Sequence, residues 1–78
     1  MTGLLYVTTD GCHFCEHGRT ILDALEVDRT EVAVDSPDAD RLARHGVPLG
    51  FLPVLTDGER VIAYGRFSEK RLRRELGL

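Results

Sequence analysis

The residues best suited to chemistry are the two cysteines of the chain, Cys12 and Cys15, with His13 and Phe14 between them. They stand where a short apolar run gives way to a stretch with helical periodicity. At the start of a helix, this spacing brings two sulfurs to bonding distance without backbone movement. The unpaired N–H groups and positive end of a helix favour a thiolate at the first cysteine and lower its pKa. The motif therefore predicts reversible thiol–disulfide chemistry, with Cys12 as nucleophile and Cys15 as resolving thiol.

The residues between and after the cysteines allow further interpretations. A cationic His13 would favour the thiolate, and the alternative is an exposed residue in the first helical turn. Metal binding is the competing chemistry, because a CxxC pair supplies half of a structural zinc site. Four donors fall within six residues: Cys12, His13, Cys15 and His17. A second half-site is missing, since no other CxxC or HxxxH follows, so we predict no metal site.

The elements that must position the cysteines follow from local patterns. Apolar and β-branched runs predict strands at residues 4–8, 30–34, 52–55 and 61–64. Helical spacing predicts helices at residues 12–26 and 37–45 and a last helix that opens at Ser68. Ser36-Pro37 is typical of a helix start, Gly46 of a helix end and Asp57-Gly58 of a hairpin. Tyr6 and Tyr64 are interpreted as core or sheet residues.

The composition narrows the class of protein. A length of 78 residues predicts a single domain, residues 1–78, and the net charge of −3 argues against nucleic acid as a partner. No apolar run reaches the roughly 18 residues that span a bilayer, and no basic segment followed by a long apolar one opens the chain. We therefore expect a soluble, cytoplasmic protein that does not bind membranes. Lys70, Arg71, Arg73 and Arg74 are expected to form a solvated helix face.

The arrangement of motifs resembles the thioredoxin/glutaredoxin family. A CxxC at the first β-to-α turn is followed by Leu52-Pro53 at the opening of a hairpin, and Gly11 to Glu16 and residues 45–67 look most like small glutaredoxin-like members. The resemblance implies an α/β minimal thioredoxin fold in the order β-α-β-α-β-β-α. Its four-stranded mixed sheet would carry helices one and three on one face and helix two on the other. The resemblance also implies that Pro53 is cis and that its loop lies against the sulfurs.

The function that the resemblance implies is a small thiol–disulfide oxidoreductase acting in electron transport and cell redox homeostasis. It would be a monomer, need no cofactor beyond a reversible Cys12–Cys15 disulfide, and reduce disulfides in partner proteins. Glutathione or a flavoprotein reductase would supply its electrons. The residues expected to line the substrate-binding surface are Gly11, His13, Phe14, Leu52 and Pro53, with Phe51 beside them. No glutathione-binding residues are predicted, because Thr8 and residues 65–68 replace those by which many glutaredoxins hold it.

Two other functions stay open at this point. One is zinc or iron–sulfur binding through Cys12 and Cys15, the cluster being shared between two subunits. The other is a thioredoxin-like module that binds partners without catalysis. The metal content of the purified protein tests the first, and trapping of mixed disulfides tests the second.

Overall fold

The structure of the protein is a computed structural model that describes residues 3–78. Its elements are β1 (Leu5–Thr8), α1 (His13–Ala24), β2 (Thr30–Ala33), α2 (Pro37–Arg44), β3 (Val54–Thr56), β4 (Val61–Tyr64) and α3 (Glu69–Leu76). This order confirms the thioredoxin-like α/β fold predicted from the sequence. Met1 and Thr2, the first residues of the predicted domain, lie outside the described residues.

The sheet has the strand order β2-β1-β3-β4. β1 runs parallel to β2, as expected when a whole helix crosses between two strands, and places Val7 opposite Val32. β3 is antiparallel to β1, with Val54 opposite Val7, and β4 closes a hairpin with β3. The Asp57 carboxylate accepts hydrogen bonds from the backbone N–H groups of Glu59 and Arg60, each at 2.9 Å, which fixes the predicted turn.

Local capping sets the helix boundaries. The Ser36 hydroxyl accepts from the Ala39 N–H, Pro37 takes the first helical position, and Gly46 follows α2 at a φ of +89°. Helix α1 ends at Ala24, two residues before the predicted end, because the chain turns back at Glu26 with a φ of +55°. There the Val27 N–H donates to the Leu22 carbonyl at 2.9 Å, and Val27 packs against the core.

Buried side chains lie on both faces of the sheet, as the expected helix placement requires. On the first face, β1, β3 and β4 pack against α1 and α3 through Tyr6, Ile21, Leu22, Leu55, Ala63, Phe67 and Leu72. On the second face, the sheet packs against α2 and the third residue after it, through Val7, Val32, Ala39, Leu42, Val47 and Val54. Successive residues of a strand point to opposite faces, so Tyr6 and Val7 of the central strand each serve one core.

Candidate active site

The cysteine motif forms the start of α1. Cys12 is the N-cap residue, with extended backbone angles, and its Sγ accepts a hydrogen bond from the Cys15 N–H at 3.0 Å. Its carbonyl accepts from the Glu16 N–H at 3.1 Å, so the motif is continuous with the helix. Gly11 precedes the cap at a φ of +67°, a conformation that a glycine adopts without strain. Cys12 and Cys15 are joined by a disulfide, with their Cα atoms 5.1 Å apart.

The two cysteines differ in exposure. Cys15 is 1 % exposed and packs inside the first turn, whereas Cys12 is half-buried and reachable from solvent. His13 and His17 are exposed, and Phe14 keeps 50 % of its surface open to solvent. The sulfur of the cap residue is therefore the more accessible of the two.

The Leu52–Pro53 peptide bond is cis, as the resemblance implies. Pro53 is buried and Leu52 half-buried. Pro53 immediately precedes Val54, which pairs with Val7 near the end of β1. The proline therefore lies at the same end of the sheet as the turn that carries the cysteines. The Gly65 N–H ties this loop to β4 by donating to the Phe51 carbonyl at 3.0 Å and to the Pro53 carbonyl at 2.9 Å.

Two exposed aromatic rings accompany the proline loop. Phe51 is 62 % exposed and Tyr64 is 53 % exposed, and their ring centroids lie 5.9 Å apart. Tyr64 is a strand residue, as expected, but it lies on the surface of the edge strand β4 rather than in the core. The pairing of these rings is a feature that local sequence patterns do not reveal, because it joins a loop to a strand.

A tyrosine lies directly beneath the first turn of α1, which carries the two cysteines. Tyr6 of β1 is fully buried, and its hydroxyl donates a hydrogen bond to the Cys15 carbonyl at 2.7 Å. Burial raises the pKa of Tyr6 to about 12, so the hydroxyl keeps its proton at neutral pH and remains a donor. The sequence predicts a core or sheet residue here, and no local signal points to a contact with the cysteine motif.

The space around the Tyr6 hydroxyl depends on a glycine. Gly18 lies in α1 one turn after Cys15. A Cβ at this position would overlap the Tyr6 Oη and would lie 3.0 Å from Cδ2 of Phe67. The Phe67 ring packs against the Tyr6 ring with a centroid distance of 5.7 Å. The glycine therefore allows the phenol to reach the helix backbone.

Charged side chains tie α1 to β2 and to the residue before it, beside Tyr6. Arg19 donates to both carboxylate oxygens of Glu31, at 2.8 and 2.9 Å, and this contact holds the pKa of Glu31 below its usual range. Arg29 pairs with Asp23 at 2.7 Å, and its guanidinium carbon lies 6.0 Å from the centre of the Tyr6 ring. Both pairs are partly open to solvent, so we expect each to add only modestly to stability.

Two further features of residues 3–78 concern metal ions and membranes. No group of three or more histidine, cysteine, aspartate or glutamate side chains in this range is placed to hold a metal ion. Within the same range, no helix is long and apolar enough to cross a membrane.

Comparison with known protein families matches residues 6–64 to the family described as glutathione S-transferase, N-terminal domain. The matched segment contains both cysteines and Pro53, and it runs from β1 to the end of β4. The chain belongs to this family of thioredoxin-like domains. No curated protein gave a significant match.

Proposed function

We propose that this protein is a small thiol–disulfide oxidoreductase that reduces disulfides in partner proteins. The observation that carries the proposal is the placement of the cysteine pair. Cys12 caps a helix and accepts a hydrogen bond from the Cys15 N–H, and Cys15 lies buried one turn further on in a disulfide with it. The arrangement supports both states that exchange chemistry requires, a closed disulfide and a stabilised thiolate.

Cys12 is the residue suited to begin the exchange. Negative charge on its sulfur would face the N–H of Cys15 and the positive end of α1, which favour the thiolate. It is also the more exposed of the two sulfurs. Cys15 is almost fully buried and is bonded to the sulfur of Cys12, which suits it to resolve the exchange from within the protein.

The reaction transfers two electrons from the cysteine pair to the partner. The Cys12 thiolate attacks one sulfur of the partner disulfide, forming a mixed disulfide and releasing the other sulfur as a thiolate that takes up a proton. The Cys15 thiol then loses its proton and attacks Cys12 Sγ, so that the Cys12–Cys15 bond forms and the mixed disulfide breaks. The partner leaves fully reduced. A thiol reductant, glutathione or the dithiol of a flavoprotein reductase, returns the two electrons.

The surface around Cys12 supports a polypeptide as the substrate. His13 and Phe14 are exposed between the sulfurs, and Phe51 and Tyr64 present apolar rings beside the Leu52-Pro53 loop at the same end of the sheet. Gly11, His13, Phe14, Leu52 and Pro53 are the residues proposed to contact it. In this proposal the protein works as a monomer in the cytoplasm.

Trapping of the mixed disulfide tests this function. In Cys15→Ser protein the resolving step is removed, so reaction with a synthetic peptide whose single cysteine is in a disulfide with a small thiol should leave a one-to-one adduct at Cys12, while the small thiol is released into solution. Mass spectrometry under non-reducing conditions detects this adduct. The Cys12→Ser variant is the matched control and should form little or none, because the remaining sulfur is buried.

The result that contradicts the proposal is equally definite. Absence of an adduct with reduced Cys15→Ser protein, while partner proteins still bind, would favour a non-catalytic binding module. A stoichiometric metal that must be chelated before either cysteine reacts would favour the metal-binding alternative.

A further inference from the structure

We propose that Tyr6 is a positioning residue for the redox pair, whose hydroxyl holds the first turn of α1 in the conformation that keeps Cys15 beside Cys12. This inference rests on the proposed oxidoreductase function. It concerns the reduced and mixed-disulfide states, in which no bond between the two sulfurs closes the turn.

Cys15 is held on both sides of its Cα atom. Its N–H donates to Cys12 Sγ at 3.0 Å, and its carbonyl accepts from the Tyr6 hydroxyl at 2.7 Å. The first contact belongs to the redox motif itself and changes when the disulfide opens. The second comes from the sheet and involves no sulfur, so opening the disulfide does not by itself break it.

The anchor for this contact is rigid. Tyr6 belongs to β1, which pairs with β2 on one side and with β3 on the other, and its side chain is fully buried. Gly18 leaves the space that the hydroxyl occupies, and Phe67 packs against the ring. The phenol is protonated at neutral pH, so its donor is always available. A tyrosine placed in this way ties the first turn of α1 to an inner strand of the sheet.

The contact has different consequences in the two redox states. In the oxidised protein the disulfide itself closes the turn, and the hydrogen bond adds little to its geometry. In the reduced protein the end of the helix is free to fray, and fraying separates Cys15 from Cys12. By limiting that motion, Tyr6 raises the effective concentration of the Cys15 thiolate at Cys12. The same Cys15 attack that breaks the mixed disulfide and forms the Cys12–Cys15 bond then becomes more favourable.

The equilibrium between the cysteine pair and glutathione measures this effect. Tyr6→Phe removes the hydroxyl and keeps the ring. We expect its constant for closing the Cys12–Cys15 disulfide to fall about three- to tenfold, the factor that one hydrogen bond supplies. This corresponds to a potential about 15 to 30 mV more oxidising. The oxidised fraction is read by alkylation and mass spectrometry across a series of glutathione buffers.

A control variant separates positioning from general loss of stability. Ile21→Val weakens the same core on the same helix without touching the cysteine motif. Its constant should stay within about twofold of wild type. Gly18→Ala, which pushes the Tyr6 hydroxyl from its place while leaving it in the protein, should lower the constant as Tyr6→Phe does.

Each other outcome overturns the inference in a distinguishable way. A Tyr6→Phe constant equal to that of wild type would leave Tyr6 as a packing residue and leave the proposed function intact. An equal shift in Ile21→Val would show that the constant follows stability alone. Failure of the wild-type protein to form the disulfide reversibly would remove both the inference and the proposed function.

Discussion

The two faces of the sheet are built from different kinds of side chain. The core beneath α2 is wholly aliphatic: Val7, Val32, Ala39, Leu42, Val47 and Val54. The core beneath α1 and α3 contains two aromatic rings, Tyr6 and Phe67, and a phenol hydroxyl that contacts the backbone of the first turn of α1. Both cores stabilise the fold by removing apolar surface from water. Only the second has a direct hydrogen bond to a residue that carries the proposed chemistry.

The two cores therefore have different roles. The aliphatic core supports the fold, whereas the core that contains Tyr6 also positions a residue of the cysteine motif. An aliphatic core fixes the volume between layers, and its contacts are non-directional. A hydrogen bond from a buried donor fixes one atom with respect to another, and leaving its acceptor without a partner has a cost. A change beneath α2 should therefore alter stability alone, whereas a change that removes or displaces the Tyr6 hydroxyl should alter both stability and the redox equilibrium.

The largest expected effect comes from the aliphatic face. Leu42→Ala should lower the free energy of unfolding by about 2 to 5 kcal/mol, because it removes a buried side chain and leaves a cavity. The disulfide equilibrium of the folded protein should stay within about twofold of wild type. Denaturant unfolding and glutathione titration measure the two quantities. Leu42→Met, with a cost below about 1.5 kcal/mol, provides a milder change at the same site.

The proposed difference between the two cores would be contradicted if the Leu42 variants changed the disulfide equilibrium as much as Tyr6→Phe does. In that case the redox equilibrium would follow overall stability, and the Tyr6 hydroxyl would have no separate role.

A smaller effect is expected at Gly18. Helix propensity alone would favour alanine by about 1 kcal/mol, but its Cβ would overlap the Tyr6 hydroxyl and crowd Phe67. Overpacking of this kind costs about 1 to 3 kcal/mol, so Gly18→Ala should destabilise the protein. In a Tyr6→Phe background the cost should shrink, because the overlapping atom is gone, and the contact with Phe67 should account for the remainder. Denaturant unfolding of the four proteins gives the coupling energy.

Gly50→Ala is the control for this cycle. Gly50 is exposed, with open space where its Cβ would lie, and we expect a change below about 0.5 kcal/mol. Strictly additive effects of Gly18→Ala and Tyr6→Phe would contradict the close approach between the hydroxyl and the helix.

Most of the fold could be predicted because its signals are local. Ser36-Pro37, Gly46 and Asp57-Gly58 each specify a backbone conformation from neighbouring residues, and the structure confirms all three boundaries. The cis peptide bond at Pro53 was expected only from the family resemblance. An X–Pro bond is cis in about 5–6 % of cases in folded proteins, so the dipeptide itself does not favour it.

The parts of the site that sequence patterns missed depend on tertiary contacts. Tyr6 and Cys15 are nine residues apart on a strand and a helix, and nothing in either segment shows that the hydroxyl meets the carbonyl. Tyr64 has the strand-forming character that predicts a core or sheet residue, but β4 is an edge strand, and this ring lies outward against Phe51. The order of exposure of Cys12 and Cys15 was predictable, because Cys12 stands at the start of the helix and Cys15 one turn inside it.

The most direct test of the account is the redox equilibrium of the wild-type pair. Metal-free protein is equilibrated in a graded series of thiol buffers, and the Cys12–Cys15 disulfide is measured by alkylation and mass spectrometry. We expect one reversible two-electron transition, within the range of about −270 to −120 mV that redox-active pairs of this kind span. Cysteines that never form the disulfide, or that react only after a chelator is added, would contradict the oxidoreductase function.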